Sequence, residues 1–136
     1  MKKVFFVSMI AALIIGSCTQ EKKSPIEGTW MMVYSSMGGN VRIKTWSKEY
    51  YTFVGYSEQI RDSLIIRNNK FGAGTYTLNG NRCEQTTLYH NNTSKIGTKI
   101  KVLTEIRNDT LIQIYPADEN WKLPRFYDAE KYVRLK

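Results

Sequence analysis

Two thiols and one imidazole are the groups in this 136-residue chain with the reactivity for nucleophilic or metal chemistry: Cys18, Cys83 and His90. A nucleophilic triad needs a base to take the proton from its serine or cysteine, and His90 is the only imidazole that could do so. It stands before Asn91-Asn92, a turn-like setting in which a histidine is expected to be exposed. His90 and Cys83 together fall short of the three or four ligands that zinc takes. Asp118-Glu119-Asn120 would hold calcium only weakly, because the spacing lacks the alternating ligands and glycine of an EF-hand loop. No glycine-rich loop follows a strand and opens a helix, so phosphate-cradling motifs are absent. The expectation is a protein that is not an enzyme and carries no metal or cofactor.

Cys18 has a different context. Met1-Lys2-Lys3 is a basic start, Val4 to Ile15 is almost unbroken apolar sequence, and Gly16-Ser17 places small residues just before the cysteine. An apolar run of about 12 residues is too short to span a membrane and suits a secretory signal peptide. The order apolar, small, small, Cys resembles the bacterial lipobox. That resemblance implies cleavage after Ser17 and diacylation of the Cys18 thiol, and two acyl chains give stable anchoring where one does not. Residues 1–17 are therefore expected to be a lipoprotein signal peptide, 18–25 a lipidated tether and 26–136 the folded domain. Thr19 stands where an inner-membrane retention signal of the enteric type would have Asp. The resemblance thus points to the cell envelope, at the outer membrane of a Gram-negative bacterium. With Cys18 lipidated, Cys83 has no partner for an intrachain disulfide and reads as a small buried hydrophobe.

Length allows one domain with a modest core. The formal net charge is +8, of which Lys2 and Lys3 belong to the leader. The basic residues are scattered, with no run long enough to mark a polyanion-binding tail, so the charge reads as solubility and nucleic acid is not an expected partner.

Positioning falls to strands. From Ile26 onward, segments rich in Tyr, Thr, Val, Ile and Phe alternate with Gly, Asn and Asp clusters, the pattern of an all-β sandwich or barrel. The spacing predicts strands over 28–35, 49–56, 59–67, 75–78, 82–90, 97–106, 110–115 and 127–135, and Val41 to Trp46 reads as a short strand or a loop lid. Asn79-Gly80 is the strongest hairpin signal, since both residues tolerate positive φ. Eight or nine strands joined by tight turns build an antiparallel up-and-down meander, and closing it removes its edges. Alternation puts Trp30, Met32 and Tyr34 on one face of their strand. It puts Ile100, Val102, Thr104 and Ile106 inside, opposite Lys99, Lys101, Leu103 and Glu105. On 82–90 neither Glu84-Thr86-Leu88-His90 nor Cys83-Gln85-Thr87-Tyr89 is cleanly apolar, which suits either a wet lumen or a sheet edge.

Ile26-Glu27-Gly28-Thr29-Trp30 resembles the G-x-W opening of lipocalins and their calycin relatives. The resemblance implies a glycine that lets the chain turn tightly into the barrel and a tryptophan that plugs its closed end. It also implies an arginine from the final strand over the indole, for which Arg134 is placed, on one face with Glu130 and Tyr132. Gly74-Thr75-Tyr76-Thr77-Leu78 with Asn79-Gly80 resembles the middle hairpin of small lipocalin-like lipoproteins, as Ile96-Gly97 resembles the start of their next long strand. The chain departs from lipocalins in being short, in lacking their usual disulfide and in showing no helix after the barrel. Related fatty-acid-binding proteins use Arg-x-Tyr on the last strand; Tyr132-Val133-Arg134 reverses that order.

What the resemblance implies is a non-catalytic barrel holding a small hydrophobic or amphipathic ligand, attached to the membrane through Cys18. Gly28, Trp30 and Arg134 would close the barrel. Met32, Tyr34, Trp46, Tyr51, Phe53, Glu84, Trp121 and Tyr132 are the candidate ligand-binding residues, chosen for aromatic content, loop position or inward face. The alternative is an envelope interaction protein whose core is filled and whose basic, tyrosine-rich surface docks a protein or glycan. A centre packed solid by Met32, Phe53, Ile100, Val102 and Ile112 would favour that alternative.

Overall fold

The structure, a computed structural model, describes residues 22–136. The leader and Cys18 lie outside the described residues. Eight strands follow one another as β1 (Gly28–Ser35), β2 (Asn40–Trp46), β3 (Tyr50–Arg61), β4 (Leu64–Asn79), β5 (Arg82–His90), β6 (Lys99–Arg107), β7 (Thr110–Tyr115) and β8 (Asp128–Arg134). Each pairs antiparallel with the next, and β1 pairs with β8, so the meander closes into a barrel. Closure leaves no open edge in the ring of eight.

Strand number and hairpin positions follow from a few turns. Asn68-Asn69, a turn-like pair just past the segment 59–67, makes no reversal: Asn68 pairs with Ser57 and Asn69 with Tyr56 inside a long β3–β4 ladder. The chain reverses at Asp62 and Ser63, which both take positive φ, at 49° and 66°, as the two-residue hairpin turn requires. The segment 59–67 is therefore a hairpin tip, not a strand of its own. At the β4–β5 turn Asn79 is still paired, with Arg82. Gly80 takes the positive φ, at 60°, so the turn sits one residue further on than the Asn79-Gly80 signal suggests. Val41 to Trp46 is a full strand rather than a lid.

The ends of the barrel differ. The N-terminal segment before β1, the β4–β5 and β6–β7 turns and the C-terminus gather at one end; the β3–β4 arm, the β5–β6 loop and the β7–β8 loop gather at the other. The closed end holds the packed core, with Ile26, Trp30, Trp46, Cys83, Leu111 and Tyr132 almost wholly buried. On β6, Val102 and Thr104 are buried and Ile100 is half-buried, as alternation requires. Ile112 alternates with buried Leu111 and Gln113 and does not join the core.

Candidate functional site

The closed end is sealed by three residues acting together. Trp30 is fully buried, and its indole Nε1 donates to the Ile26 carbonyl at 2.8 Å. Trp30 and Arg134 are register partners across the β1–β8 seam, and the Arg134 guanidinium lies 4.0 Å from the indole centroid. Arg134 also donates to the carbonyls of Glu27 at 2.6 Å and Pro25 at 2.9 Å, which fastens the preceding segment across the barrel end. Gly28 has a φ of 132°, and a Cβ there would come within 2.5 Å of Arg134 Nη1. Both the backbone conformation and the passing guanidinium therefore demand glycine.

The other half of the barrel is hollow. A cavity of about 590 Å³ runs in from the β5–β6 loop, within the size range of small-ligand sites. Tyr51, Phe53, Ile100 and Val102 supply its apolar wall. Room for the two rings comes from β4, where Gly74 and Gly72 stand directly across from Tyr51 and Phe53. A Cβ on Gly72 would meet the Phe53 ring at 2.7 Å, and one on Gly74 would meet the Tyr51 ring at 2.8 Å. Met32 is buried in the core, and Trp46 lies at the closed end, edge-on to Tyr76 with centroids 4.7 Å apart. Trp46 thus belongs to the packed core and not to a rim loop.

Of the expected ligand residues only Tyr51 and Phe53 line the cavity; besides Met32 and Trp46, three more lie away from it for identifiable reasons. The β1–β8 register shifts between Met32 and Tyr34; such a bulge reverses which face later residues occupy, and Tyr34 becomes exposed in a second depression with Phe126 and Tyr127. Glu84 alternates with buried Cys83 and Gln85 and pairs outside with Lys99 at 3.2 Å. Trp121 lies in the β7–β8 loop with φ of 62°, against the cations of Arg82 and Lys101. A second register shift, opposite Ala73 and Gly74, leaves Leu88 unpaired, so that His90 lines the cavity while Tyr89 is exposed. His90 is therefore not a turn residue. It ends β5, meets Phe53 edge-on at 5.5 Å, and accepts at Nδ1 from the Asn92 amide. Asp118 is occupied in its own loop, accepting from the amides of Asn120 and Lys122.

Between core and cavity sits a charged cluster that the sequence reading passed over. Glu130 is buried on β8. Its carboxylate accepts from Arg42 Nη1 at 2.7 Å, from Lys44 Nζ at 3.4 Å, and from the hydroxyls of Tyr115 and Tyr132. Lys44 also donates to Gln113 Oε1 at 2.7 Å and lies 5.1 Å from the Tyr132 ring centroid. Burial pushes the Lys44 amine down to about 8, with Arg42 adding to the effect and Glu130 opposing it. Burial would raise the Glu130 carboxyl, but Lys44 and Arg42, helped by the two tyrosine hydroxyls, bring it down to about 2. Tyr132 therefore sits beneath the cavity as a hydrogen-bond partner of Glu130. Arg42 and Lys44 do reach the cavity wall. The signal for them was parity: Asn40, Arg42, Lys44 and Trp46 share one face of β2.

The eight-stranded closed antiparallel barrel is compatible with a lipocalin-like fold. No protein-family model matches the chain, and no curated protein matches it.

Proposed function

We propose that this protein is a lipid-anchored, lipocalin-like binding module of the bacterial envelope, holding a small hydrophobic or amphipathic ligand in its lumen. The observation that carries the reading is the asymmetry of the barrel. One end is plugged by Trp30 beneath Arg134, and the other retains a cavity of about 590 Å³ with aromatic and aliphatic walls. Met32 is packed in the core, but Phe53, Ile100 and Val102 border the cavity, so these side chains leave the centre open. The join of Gly28, Trp30 and Arg134 supports kinship with lipocalins, where the same three residue types meet at the closed end. Loops crowd the cavity mouth, where grafted sites most often reside.

Two experiments test this. Cys18→Ser is expected to move the protein from the membrane fraction to the soluble periplasmic fraction with the domain still folded. Retention on membranes after a high-salt wash would defeat the lipid-anchor reading. Native mass spectrometry of that released protein, purified without detergent, is expected to show a bound small molecule. A bare polypeptide mass that stays bare on incubation with an envelope lipid extract would count against the binding module.

A second reading has its own support. The β3–β4 arm extends past its neighbours and exposes Ile60, Leu64 and Ile65, each more than 60% accessible. An exposed apolar tip of this kind is a feature of docking surfaces, and a binding module that hands its ligand to another envelope protein would use both.

A further inference from the structure

We infer that the occupant of the lumen is an anionic amphiphile: an apolar body against Tyr51, Phe53, Ile100 and Val102, with an acidic group held at the mouth by Lys70 and Lys95. This rests on the binding-module reading and narrows it to one charge class. The residues around the cavity include Arg42, Lys44, Lys70, Lys95 and Lys99 and no Asp or Glu. Lys99 is paired outside with Glu84, and Arg42 and Lys44 share the single carboxylate of Glu130. Lys70 and Lys95 have no carboxylate partner among the described residues. The lumen is therefore net positive, and low-dielectric walls concentrate that field.

One further observation agrees. Arg42, Lys70 and Lys95 line the same cavity as His90; burial lowers the His90 imidazole, and Lys95, Arg42 and Lys70 lower it further. Surplus positive charge calls for a ligand whose head carries anionic acceptor oxygens. Carboxylate, sulfonate and phosphate monoester heads share that chemistry.

A matched pair of fluorescent probes separates charge from apolar fit. 8-Anilinonaphthalene-1-sulfonate and N-phenyl-1-naphthylamine have the same ring system, and only the first carries an anion. Titrated into the soluble Cys18→Ser protein, the sulfonate is expected to bind at least about tenfold more tightly than the neutral probe, an advantage that shrinks between about 20 and 500 mM salt. Lys70→Gln with Lys95→Gln changes two accessible mouth residues and is expected to weaken the sulfonate about fivefold or more while leaving the neutral probe unchanged. Equal binding of both probes, or a sulfonate affinity indifferent to the lysine pair, overturns the charge inference and leaves the binding module standing. Binding of neither probe overturns both.

Discussion

Trp30→Ala is expected to destabilise the domain by about 3–5 kcal/mol, the range for emptying a buried aromatic site. Loss of area is only part of the cost. The Ile26 carbonyl would lose the indole N–H that satisfies it, and Arg134 would lose the ring it covers, a contact worth about 0.5–2 kcal/mol by itself. Arg134 in turn ties down the carbonyls of Pro25 and Glu27, so the segment before β1 is expected to loosen with it. Urea unfolding followed by far-ultraviolet circular dichroism would measure the loss, and a value below about 1 kcal/mol would place Trp30 outside the core. Trp121→Ala is the internal comparison. Its ring lies on the barrel exterior beneath Arg82 and Lys101, and its removal is expected to cost no more than about 1 kcal/mol. The neutral naphthylamine should still bind the folded fraction of Trp30→Ala, because the cavity lies at the other end of the barrel.

The closed end was legible because its parts are local signals. Gly28 and Trp30 are two residues apart, and Arg134 falls at the matching register on the final strand. The bounds of β1 and β5 coincide with the reading from composition and turns. The cavity end was less legible because its determinants are departures from period two. One bulge turns Tyr34 outward, and another brings His90 in where alternation would put Tyr89; the extra residues, Val33 and Leu88, are neither Gly nor Pro and do not announce them. Gly72 and Gly74 look like a turn but are close-approach positions beneath Phe53 and Tyr51. Asn68-Asn69 looks like a turn too, yet a long ladder absorbs it while Asp62-Ser63 makes the reversal. The buried Arg42–Lys44–Glu130 cluster was hidden by a sound expectation, since charged residues are almost never fully buried unless paired. The pairing brings together strands 86 or more residues apart in sequence, and no local pattern reveals that.

Glu130 should make the fold acid-sensitive. Its carboxyl is held down at about 2 by Lys44, Arg42 and the Tyr115 and Tyr132 hydroxyls, against the opposing effect of burial, while an unfolded chain would titrate near 4.5. A folded value below the unfolded one means that the ionised group stabilises the fold at any pH above about 4.5 and that this stabilisation disappears as pH falls through about 2. The difference corresponds to about 3 kcal/mol. Urea midpoints measured from pH 6 to pH 2 should trace that loss. Glu130→Gln should show it already at pH 7, about 3–5 kcal/mol, because Arg42 and Lys44 would stay buried without a counter-charge. Its acid limb should be correspondingly flatter. Replacing all three charges, as Arg42→Leu, Lys44→Met and Glu130→Gln together, should recover much of the stability lost in the single variant, since well-packed apolar groups often do as well as a buried ion pair. If the triple variant were as weak as the single one, unpaired charge would not be the cause of the loss. If Glu130→Gln matched the parent at pH 7, the cluster would not be a source of stability at all. Recovery in the triple variant would mean that the charges are dispensable for folding, and the reason for keeping three of them beneath an open cavity would then lie in what the cavity holds.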